Sequence, residues 1–175
     1  MKEKNDLPQR KIIRLKNYDY SKPGVYFLTL CTHNRKCILS DVIVGAIHES
    51  PEIQLTASGK AVEEVMALIP GRFNVEIHNY KIMPNHIHLL LEIKADEILR
   101  AIRESPLQGR KVTDKIVGYL KMNSSKKIHC FYPDKNIWQR SYHDHIIRDE
   151  NDFLNIWNYI EYNQCKWQSD KYYSG

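Results

Sequence analysis

The sequence lacks several features that would assign it to a specialised class of protein. No apolar run approaches the ~20 residues of a membrane-spanning helix, and no apolar stretch follows the polar N-terminal residues. The four cysteines are scattered without a Cys-x-x-Cys pair, which argues against a disulfide framework and against a zinc ribbon. Repeats and low-complexity segments are also absent. We therefore expect a cytoplasmic protein with reduced thiols and no membrane association.

The composition is that of a globular domain. The chain has 175 residues, of which 42% are hydrophobic and 27% charged, so a core can form and collagen-like, coiled-coil and disordered classes are disfavoured. We predict a single domain over residues 1–175 with a basic N-terminal arm over about residues 1–17. The net charge of +5 suits nucleic acid or another polyanion without requiring one.

Hydrophobic periodicity predicts strands interleaved with helices. The predicted strands cover residues 25–32, 38–44, 74–82 and 86–93, and residues 138–148 are a mixture of strand and irregular structure. The predicted helices cover residues 57–69, a segment around 112–120 and a last helix that begins at the acidic residues 149–152. This order predicts an α+β fold with a single antiparallel or mixed sheet and helices packed on one face.

Two histidines in the fourth predicted strand are candidate metal ligands. His86 and His88 point to the same side because side chains alternate along a strand. Ile87 and Leu89 would then pack against the helices and leave the imidazoles on an open face. Two imidazoles at this spacing can hold a divalent cation, but they can also be ordinary surface residues. His143 and His145 have the same spacing, so spacing alone does not choose between the pairs.

The last predicted helix carries a candidate nucleophile. Tyr159 and Asn163 are one turn apart and lie at the boundary of the apolar stripe formed by Phe153, Ile156, Trp157 and Ile160. A tyrosine phenolate can attack a phosphodiester if a cation neutralises the phosphate. A tyrosine in this position is also commonly a packing residue with a hydrated hydroxyl, so the helix alone leaves both interpretations open.

Four ordered blocks distinguish these interpretations. They read IRLKNYDYSKPGVYFLTLCTHNR, MPNHIHLLL, WQRSYHDHIIRDE and YIEYNQCKW. Together they resemble the single-tyrosine HUH transposases, and within these the REP-associated tyrosine transposases. The resemblance covers most of the chain, although residues 96–136 contain no motif of this kind.

The resemblance implies a ferredoxin-like or RRM-like HUH nuclease fold whose C-terminal helix carries the nucleophile, Tyr159. It implies that His86 and His88 bind Mg²⁺ or Mn²⁺ and that Asn163 completes the metal site. The implied substrate is single-stranded or hairpin DNA, which would be cleaved and rejoined through a 5′-phosphotyrosine intermediate. One departure is Gln164, which stands where the family usually has proline, so the end of the helix is expected to differ.

Basic residues are candidates for contacts with DNA phosphates, or else form an ordinary solvated surface. The candidates are Arg10, Lys11, Arg14 and Lys16 in the arm, Lys121, Lys126 and Lys127 towards the end of the second predicted helix, and Arg148 in the third block. Arg148, with Asp144 and His145, fits either structural bracing or phosphate contact. We expect the arm and the helix cluster to border the metal and tyrosine site.

Two other functions remain open from the residues alone. A binding module of the same fold would hold DNA or RNA without cutting it and without needing a metal. A small metallohydrolase would use His86 and His88 on another phosphoester, but no acidic ligand follows them at close spacing. The sequence is compatible with a monomer and with a homodimer.

Overall fold

The computed structural model describes residues 23–44, 50–97, 112–133 and 136–173. The arm residues Arg10, Lys11, Arg14 and Lys16 lie outside this part of the chain. Its elements, in order, are β1 (Gly24–Cys31), β2 (Ser40–Ile43), β3 (Glu52–Leu55), α1 (Ala57–Ala67), α2 (Ile69–Phe73), β4 (Val75–Met83), β5 (His86–Ile93), α3 (Val112–Ile128), β6 (His143–Ile146) and α4 (Glu150–Glu161), followed by a 3-10 helix (Asn163–Ser169).

The main sheet has the strand order β4-β5-β1-β6, and every neighbouring pair is antiparallel. This architecture confirms the predicted α+β fold. In the register, Thr29 of β1 stands opposite both His88 of β5 and His143 of β6. Residues directly opposite each other share a face of the sheet, so these three side chains form one row across three strands.

The hydrophobic core lies on the other face of the sheet. Leu28 of β1 and Ile87 and Leu89 of β5 are fully buried there against Val62 of α1 and Ile116 of α3. Because the apolar residues of β5 alternate with the two histidines, one face of β5 contributes to the core and the other face contributes to the candidate site. Helices α1 and α3 thus cover the core face as predicted, but α4 lies on the other face.

The histidine face is not open, which corrects the expectation from the sequence. Helix α4 crosses it next to β4 and β5, and both His86 and His88 have no exposed surface. Asp149 is the N-cap of α4, because its side chain accepts a hydrogen bond of 2.9 Å from the Asp152 backbone N–H. The amphipathic pattern of α4 indicated a buried stripe but did not indicate which sheet face would receive it.

Two boundaries differ from the sequence prediction. The first helix was predicted over residues 57–69, but α1 ends at Ala67 and the short helix α2 begins at Ile69 and contains Pro70 and Gly71. Proline is tolerated in the first turn, where its missing N–H has no partner to lose. Strand β3, over Glu52–Leu55, was not predicted, and it pairs only with β2 among the described strands. No helix in the described ranges is long and apolar enough to cross a membrane.

Candidate metal and nucleophile site

The two imidazoles of β5 face each other at close range. The Nε2 atoms of His86 and His88 are 3.0 Å apart, and the ring centroids are 4.5 Å apart. Two adjacent ligands of an octahedral ion that is ~2.1 Å from each lie about 3.0 Å apart, so this spacing fits joint binding of one small divalent cation. The predicted placement of the two side chains on one face is confirmed.

The turn residue Asn85 determines the tautomer of His86. Its amide nitrogen donates to the carbonyl oxygens of Tyr172 at 2.8 Å and of Arg35 at 3.3 Å. Its Oδ1 is therefore an acceptor, and the Nδ1 atom of His86, 2.9 Å away, must carry the proton. The lone pair of His86 is consequently on Nε2, which is the atom that points at His88.

Thr29 makes the equivalent contact with His88. Its hydroxyl oxygen lies 2.9 Å from Nδ1 of His88, and a hydroxyl can accept the Nδ1 proton and so leave Nε2 free for a metal. Burial lowers the pKa of His86 below its usual value, and burial together with the neighbouring His86 lowers the pKa of His88. Both rings are thus neutral near pH 7, the form that binds metals.

A carboxylate that the sequence analysis missed completes the cluster. Ligand atoms of His86, His88 and Asp170 all lie within 4.8 Å of one another, the one such group of three among the residues that the structure describes. The carboxylate is a donor that Mg²⁺ and Mn²⁺ prefer, whereas imidazole is more typical of zinc, iron, copper and nickel sites, so the donor set fits a divalent cation without selecting one. Asp170 follows the 3-10 helix, seven residues after Asn163, and no helical or strand spacing relates it to the histidines.

Asn163, the third ligand implied by the resemblance, lies beside this carboxylate. Its Nδ2 donates to Oδ2 of Asp170 at 3.1 Å, and its Oδ1 is buried without a hydrogen-bond partner. A buried oxygen without a partner is costly, and a nearby cation would satisfy it. The residues present therefore fit a divalent ion, with Asp170 and Asn163 both available beside the two histidines.

Tyr159 reaches the same cluster from α4. Its ring centroid is 5.0 Å from that of His88 and 6.0 Å from that of Phe27, and its hydroxyl lies 3.4 Å from Oδ2 of Asp170. Burial and the charge of Asp170 raise the pKa of this phenol above its usual value. The hydroxyl is therefore protonated at neutral pH, with a carboxylate placed to accept its proton.

Tyr172 covers the histidine pair. Its ring centroid lies 4.7 Å from that of His86 and 6.0 Å from that of His88, and only 4% of its surface is exposed. Tyr172 is held next to Asp170 by its own backbone N–H, which donates to Oδ1 of Asp170 at 2.6 Å. The sequence analysis assigned no role to these C-terminal residues.

The basic residues of α3 do not border this cluster. Helix α3 packs on the core face of the sheet, and Lys127 forms a 2.6 Å ion pair with Glu64. Lys126 is exposed on the same helix. The expectation that these residues flank the metal and tyrosine site is wrong, because the sheet lies between them and the histidines.

Lys121, a predicted phosphate contact, binds backbone carbonyl oxygens. Its ammonium donates to the carbonyl oxygens of Gln139 at 2.8 Å and Ser141 at 3.0 Å, and burial lowers its pKa to about 8. It thereby fixes the loop before β6. Arg148 is exposed, and its backbone N–H and the His145 ring both contact the carboxylate of Asp152, which matches the bracing interpretation of the third block.

Arg35 and Lys171 are the cations that the sequence analysis missed. Both line a cleft of about 430 Å³ next to Thr29 and Tyr172, and both contribute to lowering the pKa of His86. Arg35 lies in the turn after β1 and Lys171 between the two C-terminal cluster residues. Among the residues that the structure describes, positive charge at the candidate site thus comes from the turns that carry Arg35 and Lys171 and not from the predicted helix cluster.

Comparisons with known proteins find a matching family model and two relatives. Residues 25–105 match the family model described as "Transposase IS200 like". An uncharacterized protein of Haemophilus influenzae is 34% identical over 94% of this chain and 93% of its own length. A putative REP-associated tyrosine transposase of the same organism is 28% identical over 87% of this chain and 77% of its own length.

A solved structure shares the fold. It is a REP-associated tyrosine transposase bound to a REP hairpin, with 18% identity and a TM-score of 0.57 over 87% of this chain and 73% of that one. The chain belongs to the IS200-like transposases. Within that class, the chain is similar to the REP-associated tyrosine transposases.

Proposed function

We propose that this chain is a metal-dependent single-strand DNA transposase that cleaves and rejoins hairpin-forming DNA through a tyrosine nucleophile. The observation that carries the proposal is the convergence of the Tyr159 hydroxyl, the His86 and His88 imidazoles and the Asp170 carboxylate. A tyrosine hydroxyl beside a site suited to a divalent cation is an arrangement that can support phosphodiester cleavage by a protein nucleophile.

In the proposed reaction the oxygen of Tyr159 forms a bond to phosphorus and the bond from phosphorus to the 3′-oxygen breaks. The products are a 5′-phosphotyrosine and a strand with a free 3′-hydroxyl. Oδ2 of Asp170, 3.4 Å from the phenol, is placed to accept the proton of Tyr159, and a proton is returned to the leaving 3′-oxygen. Attack by a 3′-hydroxyl on the phosphotyrosine reverses the step and rejoins the strand.

The metal site would be formed by His86, His88 and Asp170, with Asn163 at its edge. When bound, Mg²⁺ or Mn²⁺ supplies positive charge that polarises the scissile phosphate and stabilises the charge that develops on it. Asn85 and Thr29 orient the imidazoles so that their Nε2 atoms are available, which is the usual second layer of a metal site. The comparison with a hairpin-bound relative supports hairpin DNA as the substrate class.

The test is a search for a covalent adduct. Purified protein is incubated with end-labelled hairpin DNA that carries single-stranded tails, with Mn²⁺ or Mg²⁺, and analysed on a denaturing gel. We expect an adduct that is abolished by Tyr159→Phe, by EDTA and by His88→Ala. Tyr162→Phe is the matched control, because Tyr162 ends the same helix but is 59% exposed.

The burial of both imidazoles favours one alternative, a binding domain without nuclease activity. In that case DNA binds but no adduct forms with any tailed hairpin or metal. Binding would then be unaffected by EDTA and by His86→Ala. This outcome would contradict the proposed cleavage while leaving the family assignment unchanged.

A further inference from the structure

Helix α4, which carries Tyr159, lies on the sheet with few fully buried side chains. Of its twelve residues, all of them in the part of the chain that the structure describes, only Ile160 is buried, whereas α1 buries six of its eleven. Burial of apolar surface is the main force that holds a helix against a sheet. We therefore expect the position of α4 to depend more than that of α1 on polar contacts at particular residues.

One such contact joins the first turn of α4 to the edge strand β6. The Nε2 atom of His145 lies 2.9 Å from Oδ2 and 3.0 Å from Oδ1 of Asp152. An ionised carboxylate only accepts hydrogen bonds, so the N–H of the imidazole is on Nε2 and points between the two oxygens. The side chain of Asp152 is 25% exposed and that of His145 is 48% exposed, so this charge-assisted hydrogen bond is partly shielded from water.

Both partners of this contact are fixed by their own surroundings. Oδ2 of Asp152 also accepts a hydrogen bond of 3.3 Å from the Arg148 backbone N–H, and the Asp152 backbone N–H donates to Oδ1 of Asp149. His145 stands on β6, where pairing with β1 places it directly opposite Phe27. The contact, here called the His145–Asp152 tether, thus joins the start of α4 to a paired strand of the sheet.

The row of the sheet that contains His145 also contacts Tyr159. Phe27, opposite His145, has its ring centroid 6.0 Å from that of Tyr159, with the two ring planes at 89°. Asp152 and Tyr159 are separated along α4 by about 10 Å of axial rise and by an angle within about 20° of two full turns. Both side chains therefore lie on the face of α4 that meets the sheet. The tether fixes the rotation of the helix that places Tyr159 against Phe27.

A small displacement of α4 would change the position of the nucleophile. The other end of the helix is fixed through Asn163, whose Nδ2 donates to Oδ2 of Asp170 at 3.1 Å. Tyr159 is about one turn from this end, so a tilt of about 10° about Asn163 would move its backbone by about 1 Å. A misplacement of ~1 Å can lower the rate of an enzymatic step by about 100-fold.

We propose that His145 is a positioning residue for Tyr159 and that it acts through Asp152. The tether holds the first turn of α4 against β6, so that the Tyr159 hydroxyl stays beside the histidine pair and Asp170. The effect on cleavage rests on the proposed function, whereas the position of Tyr159 can be measured without DNA or metal. Because the proposal gives His145 no contact with DNA, loss of its side chain should lower the rate of cleavage and not the affinity for DNA.

The first test separates the rate from the affinity. Single-turnover formation of the Tyr159 adduct is measured with Mn²⁺ and saturating protein, and the dissociation constant of the same tailed hairpin is measured by fluorescence anisotropy in EDTA. We expect His145→Ala and Asp152→Ala each to lower the rate about tenfold or more, while the dissociation constant stays within about twofold. The double variant should be no slower than either single variant, because all three lose the same contact. His145→Gln keeps an N–H donor near the position of Nε2 and should restore the rate to within about threefold.

Glu150→Ala is the matched control, since it removes an exposed acidic side chain from the same helical turn. It should change neither the rate nor the affinity. The second test places 3-fluorotyrosine at position 159 and records ¹⁹F NMR spectra in EDTA without DNA. The resonance should shift or broaden in the same way in His145→Ala and Asp152→Ala and should keep its wild-type position in Glu150→Ala. Thermal melting shows whether each variant is folded, and His145→Leu replaces His145→Ala if that variant is unstable.

The outcomes distinguish this proposal from the proposed function. Wild-type rates in His145→Ala and Asp152→Ala, additive losses in the double variant, or a loss of affinity as large as the loss of rate would overturn the positioning role while the nuclease stands. If the wild type forms no adduct, the proposed function fails, and a ¹⁹F change shared by the two variants would still support the tether. Unchanged spectra in both variants would overturn the tether in either case.

Discussion

The Nε2 atoms of His86 and His88 lie 3.0 Å apart in a site without solvent exposure. Asn85 leaves the His86 Nε2 with a lone pair, so a favourable contact needs either a proton from His88 or a cation between them. This relationship makes the two imidazoles the most constrained part of the candidate site. Substitution of the residues that contact the two imidazoles can therefore test the site.

Removal of the Thr29 hydroxyl is expected to weaken metal binding. Thr29→Val keeps the shape of the side chain but loses the contact with Nδ1 of His88, so the ring is no longer held with Nε2 towards the metal. We expect Mn²⁺ affinity to fall by about 10–100-fold, measured by titration followed by electron paramagnetic resonance. Thr29→Ser keeps a hydroxyl and should stay within a few-fold of wild type; equal losses in both variants would contradict the orienting role.

Substitution at positions 163 and 170 should show which side chain is the third ligand. Asp170 belongs to the cluster of ligand atoms within 4.8 Å, whereas Asn163 donates to Asp170 through Nδ2. We therefore expect Asp170→Asn to weaken Mn²⁺ binding more than Asn163→Ala does. Isothermal titration calorimetry on both variants measures the difference, and the reverse order would make Asn163 the ligand.

The stability of the metal-free protein should fall at acidic pH. Burial lowers the pKa of both His86 and His88 in the folded state, so below about pH 6.5 the unfolded chain binds more protons than the folded one. The free energy of unfolding should then decrease by up to about 1.4 kcal/mol per pH unit for each histidine as the pH falls. Urea denaturation in EDTA between pH 7 and pH 5 measures this slope.

Two variants assign the acid sensitivity to the histidine pair. His88→Gln should flatten the dependence of the free energy of unfolding on pH, because one buried imidazole is gone. His129→Gln removes an exposed histidine at the end of α3 and should keep the wild-type slope. A wild-type slope in His88→Gln would show that other groups cause the acid sensitivity.

Lys121→Met should destabilise the fold without weakening DNA binding. The substitution leaves the carbonyl oxygens of Gln139 and Ser141 without their donor, at a cost of about 1–3 kcal/mol, measured by urea denaturation. Because Lys121 is not expected to contact phosphate, the slope of log affinity against log salt should not change. Lys126→Met should leave stability within about 0.5 kcal/mol; a smaller salt slope in Lys121→Met would restore the original prediction.

The strand positions of the site were predictable because they depend on local periodicity. Alternation placed His86 and His88 on one side of β5 and Ile87 and Leu89 on the other, and the register shows both. Tyr159 was predicted at the edge of an apolar stripe, and it lies half-buried over the sheet. Each of these conclusions uses residues that are neighbours along a single element.

The remaining features depend on contacts between distant segments. Asp170 and Tyr172 reach the histidines only because the chain turns back after α4 through a 3-10 helix, and no periodic pattern encodes that return. Lys121 was predicted to belong to a basic surface, but its ammonium donates to carbonyl oxygens of the loop at residues 139–141. Charge in a sequence indicates a polar environment but does not say whether the partner is solvent, phosphate or a backbone carbonyl.

The core residues and the two histidines of β5 are under different evolutionary constraints. Ile87, Leu89 and Leu91 are buried in the core and can exchange for other apolar residues of similar volume at modest cost. His86 and His88, between them, have no such substitutes if they bind a metal. Homologues that have lost catalysis should therefore vary at positions 86 and 88 while they keep apolar residues at positions 87, 89 and 91 and keep their fold.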